Sequence, residues 1–425
     1  MTLSDPDTQK AASPALGPSL SARSYRTARS LVTTREFGIG GIAAVLFVIL
    51  SLTAHNFLTT ENLANVGQQI SMLGIVAVGM TFVIVSAEID LSAGSMAYFL
   101  GIVMAEFLFT YHWTWWVAAI AVLGIGVGFG FLNGAMTTGL RMPSFIVTLG
   151  MLSVFDGLSN VLTGGFPVEG RVPAVYNNLA NAYLGGQLPV QVLWFAGAVI
   201  IGALVLARSR FGYHVYATGG NQLAARRVGI RTVRVKIACF GLVGFLAALV
   251  AVIEVGWFQS MSPTPGASFT LEIIAAVIIG GVNLFGGEGS ILGMLFGAII
   301  IGFISDGLVL LNVSAYWETV AQGGIIIVAV ASGTLLRARS QGVSVAKALK
   351  GLGADLHAWT ARRPAWVTAQ RTLGSPPPVG PEPADLTPTG SADDGRPGAA
   401  APSPGRAYGE GGTSEPVSGT EGDYQ

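Results

Sequence analysis

What most limits how this chain can fold is a succession of about ten apolar stretches, each close to the ~20 residues that a helix needs to cross a hydrocarbon core. They lie near 37–54, 66–86, 92–110, 115–139, 143–163, 191–208, 236–256, 270–286, 289–311 and 317–336. One large soluble core is not an alternative. Only 11% of the 425 residues are charged and 51% are hydrophobic, whereas soluble domains carry roughly 25% charged residues. Single soluble cores also stop growing at about 250–300 residues. A bilayer accounts for the deficit, and the 58 glycines suit helices that pack closely within one. The expected fold is an all-α polytopic membrane protein. Broken or re-entrant segments are expected chiefly in 66–110, where two apolar runs barely separate.

Charge placement gives the orientation. The segment "RSRFGYHVYATGGNQLAARRVGIRTVRVK" carries Arg208, Arg210, Arg226, Arg227, Arg231, Arg234 and Lys236 without one Asp or Glu. Arg141 lies in the 140–143 connection, and Arg337 and Arg339 follow the last apolar run. The connection 164–190 has Arg171 as its one basic residue. The positive-inside rule then places both termini in the cytoplasm with an even helix count. Three parts follow: a cytoplasmic N-terminal segment over 1–36, a transmembrane domain over 37–336, and a cytoplasmic tail over 337–425. The N-terminal segment is polar, with Arg23, Arg26, Arg29 and Arg35 and no short apolar core before a cleavage site, unlike a signal peptide. The tail is basic near the membrane, then rich in Pro, Gly and acidic residues, a composition expected to stay disordered.

Several chemistries are excluded. There is no G-x-x-x-x-G-K-[ST] phosphate cradle and no H-E-x-x-H zinc motif. The four histidines are scattered, and the single cysteine, Cys239, sits in an apolar run, so no catalytic or metal-binding set is expected. A formal net charge of zero argues against a nucleic-acid partner. "GIGVGFGFLNG" (124–134) contains overlapping G-x-x-x-G but follows no strand; it reads as a helix packed tightly on a neighbour.

Carboxylates in or beside apolar runs are costly and often functional. Glu88 and Asp90 occur in "SAEIDLSAGS", two positions apart, so on a helix they would not share a face. Asp90 reads as a turn or cap residue between two helices. Asp156 and Asp306 interrupt apolar runs, and are expected either to be satisfied within the bundle or to line a polar pathway with Asn133, Asn160 or Asn312. Glu254, Glu272 and Glu318 lie near helix ends and read as satisfied or interfacial. "VIVSAEIDLSAGSMAYFLGIVMA" and "VIIGGVNLFGGEGSILGMLFGAII" share a helix–turn–helix pattern, with Asn283 in the second turn. Either an internal repeat or chance likeness between glycine-rich corners explains it.

"GGNQLAARRVGI" shows a Gly219–Gly220 break, Asn221 in N-cap position, a short helix over Gln222 to Val228, and a stop at Gly229. Its arginines serve either as topological determinants alone or as part of a knob for a cytoplasmic partner.

The stretches "NFLTTENLANVGQQISMLGIVAVGMTFVIVSAEIDLSAGS", "MPSFIVTLGML", "LTGG", "FGYHVYATGGNQLAARRVGI" and "IIAAVIIGGVNLFGGEGSILGMLFGAIIIGFISDGLVLLNVSAYW" run through most of 56–336. Together they resemble the permease subunits of monosaccharide ABC importers of the ribose and xylose type. That resemblance implies a multi-pass protein of the bacterial cytoplasmic membrane with no enzymatic activity and no cofactor of its own. It implies partner ATPase subunits that use ATP, an extracytoplasmic sugar-binding protein, and a second permease copy, identical or paralogous. It also implies a cytoplasmic coupling helix, which maps onto Gly219, Gly220, Asn221, Ala224, Ala225, Arg226 and Gly229. Candidate pathway residues are Glu88, Asp90, Asn133, Asp156, Asn160, Asn283 and Asp306. The chain departs from the commoner pattern at Ala87 and Glu88, where two glycines are usual, at Asp156, often Arg, and at Asp306, usually Asn. Other readings are a permease for branched-chain amino acids or nucleosides, and an ion-coupled carrier using Asp156 or Asp306.

Overall fold

In a computed structural model, residues 35–314 and positions 317, 320, 323, 324, 327 and 331 are described. The expected tail, nearly all of segment 1–36, and most of the apolar run 317–336 lie outside the described residues. Within them, eight helices are long and apolar enough to span a membrane. In chain order the helices are α1 (Arg35–Thr53), α2 (Thr60–Val85), α3 (Ala93–Ala105), α4 (Trp115–Gly139), α5 (Ser144–Thr163), α6 (Ala174–Asn181) and α7 (Val190–Arg208). They continue with α8 (Arg210–Gly220), α9 (Gln222–Arg227), α10 (Thr232–Phe258), α11 (Ala267–Ile279) and α12 (Ile291–Leu310). A π-helical turn, Glu106–Thr110, extends α3.

Two helices form the centre. Of the most apolar window of α2, 94% is buried against other helices, and of α10, 67%; α2 touches α7, α10, α11 and α12. The peripheral helices instead leave large apolar side chains uncovered, among them Ile42 and Val45 on α1, Ile120 on α4, Val161 on α5 and Ile201 on α7. Apolar both inside and outside, such helices need lipid around them.

The glycine run behaves as its spacing predicts. A methyl group added at Gly126 would strike the Gly244 carbonyl, at Gly130 the Phe240 carbonyl, and at Gly134 the Cα of Ile237. These pairings run in opposite directions along α4 and α10, so the two helices are antiparallel with their backbones in contact.

The expected helix over 270–286 is corrected. Helix α11 is only 13 residues long, about 20 Å at 1.5 Å per residue and short of a ~30 Å hydrocarbon core. The chain then runs without a helix from 280 to 290. Positive φ at Gly281, Gly286, Gly287 and Gly289 breaks the helical path there, a conformation that glycine adopts without steric cost. The α2–α3 corner, 86–92, turns the same way at Ala87, with φ +63°. The two corners meet: the Gly287 N–H donates to the Val85 carbonyl at 2.9 Å.

At the end of the bundle where α10 finishes, 164–189 folds into short pieces that sequence patterning does not reveal. Strands β1 (Val168–Glu169) and β4 (Ser260–Met261) pair antiparallel, and β2 (Tyr183–Leu184) and β3 (Leu188–Pro189) form a hairpin. Helix α6 packs on the end of α10 through the Tyr176 hydroxyl, which donates to the Val252 carbonyl. Burial raises the Tyr176 phenol above its ordinary pKa, so it stays a neutral donor.

Close backbone contact yields a direct prediction. Gly130→Val should destabilise the detergent-solubilised protein by about 2–3 kcal/mol through overpacking. Gly128→Ala, on the same helix with nothing within 4 Å of the added methyl, should leave thermal unfolding unchanged. Equal midpoints for both variants would contradict the α4–α10 packing.

Candidate functional site

The arginine-rich end of the bundle gathers the α2–α3 corner, the α4–α5 connection, α8, α9 and the start of α10. In the corner, the two neighbouring carboxylates point to different partners. Asp90 is fully buried, and its Oδ1 accepts from the Ser92 N–H at 2.9 Å and the Ser92 hydroxyl at 2.6 Å. Asn133 donates through Nδ2 to Ser92 Oγ at 2.9 Å. Asp90 is therefore the turn residue its sequence position suggested. Glu88 instead pairs with Lys236 on the first turns of α10. Their peptide neighbours are tied to α5: the Ile89 N–H donates to Ser144 Oγ at 3.2 Å and the Leu91 N–H to Thr148 Oγ1 at 3.0 Å. Asp90 Oδ2, Ser95 Oγ, Asn133 Oδ1 and Thr137 Oγ1 are buried without a hydrogen-bond partner.

Helices α3 and α11 both begin inside the bundle. The Gly94 N–H, in the first turn of α3, donates to Thr270 Oγ1 in the first turn of α11 at 2.9 Å. The Gly266 N–H, at the α11 start, donates to Asp156 Oδ1 at 3.3 Å. Asp156 is more than three helical turns beyond Ser144 along α5, so α11 starts about 18 Å from the arginine-rich end. A carboxylate at that point also complements the positive end of the helix dipole.

The remaining candidates are dispersed. Asn160 donates to the Asp156 main-chain carbonyl at 2.8 Å. Asp306 Oδ2 accepts from Asn62 Nδ2 at 3.0 Å, joining α12 to the start of α2. Asn283 shapes its own corner, its Oδ1 accepting from the Phe285 N–H at 3.1 Å.

Away from the arginine-rich end lies a cavity of about 720 Å³, bounded by α2, α3, α10, α11, α12 and the connection after α10. That is the size range of small-molecule sites, roughly 300–1,000 Å³. Asn65, Gln68, Gln69, Tyr98, Glu254, Trp257, Glu272 and Ser305 contribute its polar and aromatic groups. None of Glu88, Asp90, Asn133, Asp156, Asn160, Asn283 and Asp306 lines it. Sequence reasoning missed the cavity, although Asn65, Gln68 and Gln69 repeat at three- and four-residue spacing along an apolar helix. Glu254 and Glu272, read from their end positions as satisfied or interfacial, face into it.

At the basic end, α9 is capped by Asn221, whose Oδ1 accepts from the Ala224 N–H at 3.0 Å, and it is followed by Gly229 at φ +88°. Ala225 is buried, while Leu223 and Val228 project with 71% and 77% of their surface exposed. Arg226 Nε donates to Thr232 Oγ1 at 2.8 Å. The expected Gly-Gly break is corrected: Gly219 and Gly220 form the last turn of α8, and the helix breaks at Asn221, with φ −155°. The glycines serve close approach instead, since a methyl at Gly219 would strike the Val85 carbonyl. A second cavity of about 340 Å³ lies among Glu88, Thr137, Arg141, Gln222, Arg226 and Lys236. Among the described residues, no three His, Cys, Asp or Glu side chains are placed to hold a metal ion.

The family described as "Branched-chain amino acid transport system / permease component" matches residues 62–330. The ribose import permease protein of Escherichia coli (strain K12) is 38% identical over 288 residues, covering 67% of this chain and 89% of the relative. The fructose import permease protein of Rhizobium meliloti is 34% identical over 300 residues, covering 68% and 83%. The xylose transport system permease protein of Haemophilus influenzae is 31% identical over 355 residues, covering 68% and 93%. No solved structure matches. The matched region takes in the corners, the half-length helix α11 and the capped basic helix alike, and on that ground the chain belongs to this permease family, as a multi-pass membrane protein.

Proposed function

We propose that the chain is the membrane-spanning permease subunit of an ATP-driven importer in a bacterial cytoplasmic membrane, translocating a monosaccharide delivered by an extracytoplasmic binding protein. The observation that carries this reading is the set of relatives, import or transport permeases whose names specify ribose, fructose and xylose. The 720 Å³ cavity supports the same substrate class. A sugar is neutral and dense in hydroxyls, which carboxylates and carboxamides hold while an aromatic face lies alongside. Glu254, Glu272, Asn65, Gln68 and Gln69 offer the former, Tyr98 and Trp257 the latter. No Lys or Arg among the described residues lines the cavity to meet the carboxylate of an amino acid, which favours a sugar over that alternative.

In this mechanism the chain performs no chemistry and binds no cofactor; partner ATPase subunits use the ATP. A second permease copy, identical or paralogous, completes the membrane unit. The binding protein releases sugar toward the large cavity, at the end away from the arginines. ATPase closure then presses on α9. Asn221 and Gly229 fix the ends of that helix, Ala225 seats it, Arg226 braces it on α10, and Leu223 and Val228 give the partner something to grip. Ala224 closes the cap, and Gly219 and Gly220 bring α8 against both corners. A rigid helix transmits such a push, and helices rocking about the site exchange access from one side to the other. Glu88, Asp90, Asn133, Asp156, Asn160, Asn283 and Asp306 hold the corners and helix starts that shift during this exchange. The ties from Asp156 to the α11 start and from Asp306 to Asn62 favour that role over ion coupling.

Proteoliposomes holding the chain with its ATPase and binding protein should take up sugar only when ATP is supplied. Full-rate uptake driven by a proton or Na⁺ gradient without ATP would overturn the reading. Reversing charge at Arg226 and Arg227 together should lower uptake about tenfold or more, within the usual range of coupling energies, while membrane insertion is unchanged; unchanged uptake would remove α9 from the coupling role. Gln68→Ala and Glu254→Gln should each cut ATP-dependent uptake by about tenfold, the loss expected when a buried polar contact worth 1–2 kcal/mol is removed. Parental uptake in both would exclude the cavity from the pathway.

A further inference from the structure

We propose that the Glu88–Lys236 ion pair is a positioning pair that carries movement of α9 into the α2–α3 corner. This rests on reading α9 as the ATPase contact, and goes beyond it by naming the side chains that pass the motion inward.

The contacts form one continuous route. Arg226 Nε donates to Thr232 Oγ1 at 2.8 Å and Gln222 Nε2 reaches the same oxygen at 3.5 Å, so two side chains of α9 hold the first residue of α10. Lys236 is four residues further along α10, hence on the same face one turn up. Its ammonium meets Glu88 with 8% and 14% of the two side chains exposed. Screening by water and salt is weak at such burial, so the pair resists separation and moves as a unit. Beyond Glu88, Ile89 and Leu91 are bonded to α5, and Gly94 is bonded to Thr270 of α11. A displacement arriving at Glu88 thus reaches the starts of both α3 and α11. Helix α11 also carries Glu272 to the wall of the large cavity, which Glu254 of α10 lines as well.

Two features favour transmission over static bracing. The pair borders the 340 Å³ cavity shared with Gln222 and Arg226, so this junction has free volume for side chains to travel, unlike the close-packed core. The corner is also held by backbone contacts, Gly287 to Val85 and Gly219 against Val85. Lys236 gives the α9–α10 unit a charged bond to the corner, and three residues on, Cys239 of α10 is bonded to Ser86 of the same corner.

The test measures sugar uptake and ATP hydrolysis in the same proteoliposomes, with the complete transporter. Glu88→Gln and Lys236→Met should each lower uptake about tenfold while hydrolysis falls less than about twofold, so that ATP consumed per sugar rises. The exchange Glu88→Lys with Lys236→Glu should restore most of the uptake. Parallel loss of uptake and hydrolysis, parental uptake in the single variants, or no gain from the exchange would each overturn the proposal. Amide hydrogen exchange in the unmodified complex gives a reading that does not depend on variants folding. Ile89, Leu91 and Gly94 should change protection between nucleotide-free and ATP-bound states, and identical protection counts against the pair. If the unmodified complex shows no ATP-dependent uptake, the underlying reading fails. If it is coupled and Glu88→Gln matches it, only the relay fails.

Discussion

Every backbone N–H and C=O in a lipid-surrounded segment must find a partner within the protein, because hydrocarbon supplies none. Unbroken helices meet that demand on their own, but this chain breaks two helical paths inside the bundle. Each break is possible because side chains from neighbouring helices take over. Ser144 and Thr148 accept from the α2–α3 corner, Thr270 accepts from the start of α3, and Asp156 accepts from the start of α11. The second corner gives its Gly287 N–H to Val85. Much of the polar content of an otherwise apolar interior is therefore explained by two interrupted helices.

The polar side chains of the interior divide by what they touch. Asp90 Oδ1 is taken up by the Ser92 N–H and hydroxyl. Asp156 and Asp306 each satisfy a neighbour. Other polar groups line open volume: Glu254, Gln68 and Glu272 around the large cavity, Arg141 and Gln222 around the small one. One cavity adjoins the far end of α10 and the other its first turns. Helix α10, central and mostly buried, lies between them and carries Glu254 toward one and Lys236 toward the other.

How much of this was legible depended on whether a feature is local. Eight of the ten apolar runs, the glycine face of α4, and the Asn221 cap and Gly229 stop of α9 are written in consecutive residues, and the structure shows each of them. The shortness of α11 was hidden because "AAVIIGGVNLF" stays apolar past the point where its glycines turn left-handed. The large cavity was hidden because five helices and a connection build it, and no single stretch records its walls. Glu254 and Glu272 looked interfacial by position along their helices, but depth in sequence is a poor guide when α11 begins mid-bundle. The Glu88–Lys236 contact joins residues 148 positions apart, beyond the reach of any local pattern.

The central claim of the reading we propose is alternating access, the large cavity opening to the outside and the α9 end, with its small cavity, opening to the cytoplasm. Labelling with a membrane-impermeant thiol reagent tests it most directly. Asn65→Cys and Gln69→Cys mark the large cavity, Thr138→Cys marks the small one, and buried Cys239 supplies the background. The account predicts that Asn65→Cys and Gln69→Cys react only from the outside, Thr138→Cys only from the inside, and that ATP binding changes the two rates in opposite senses. Labelling of both cavities from one side, or rates indifferent to nucleotide, would contradict it.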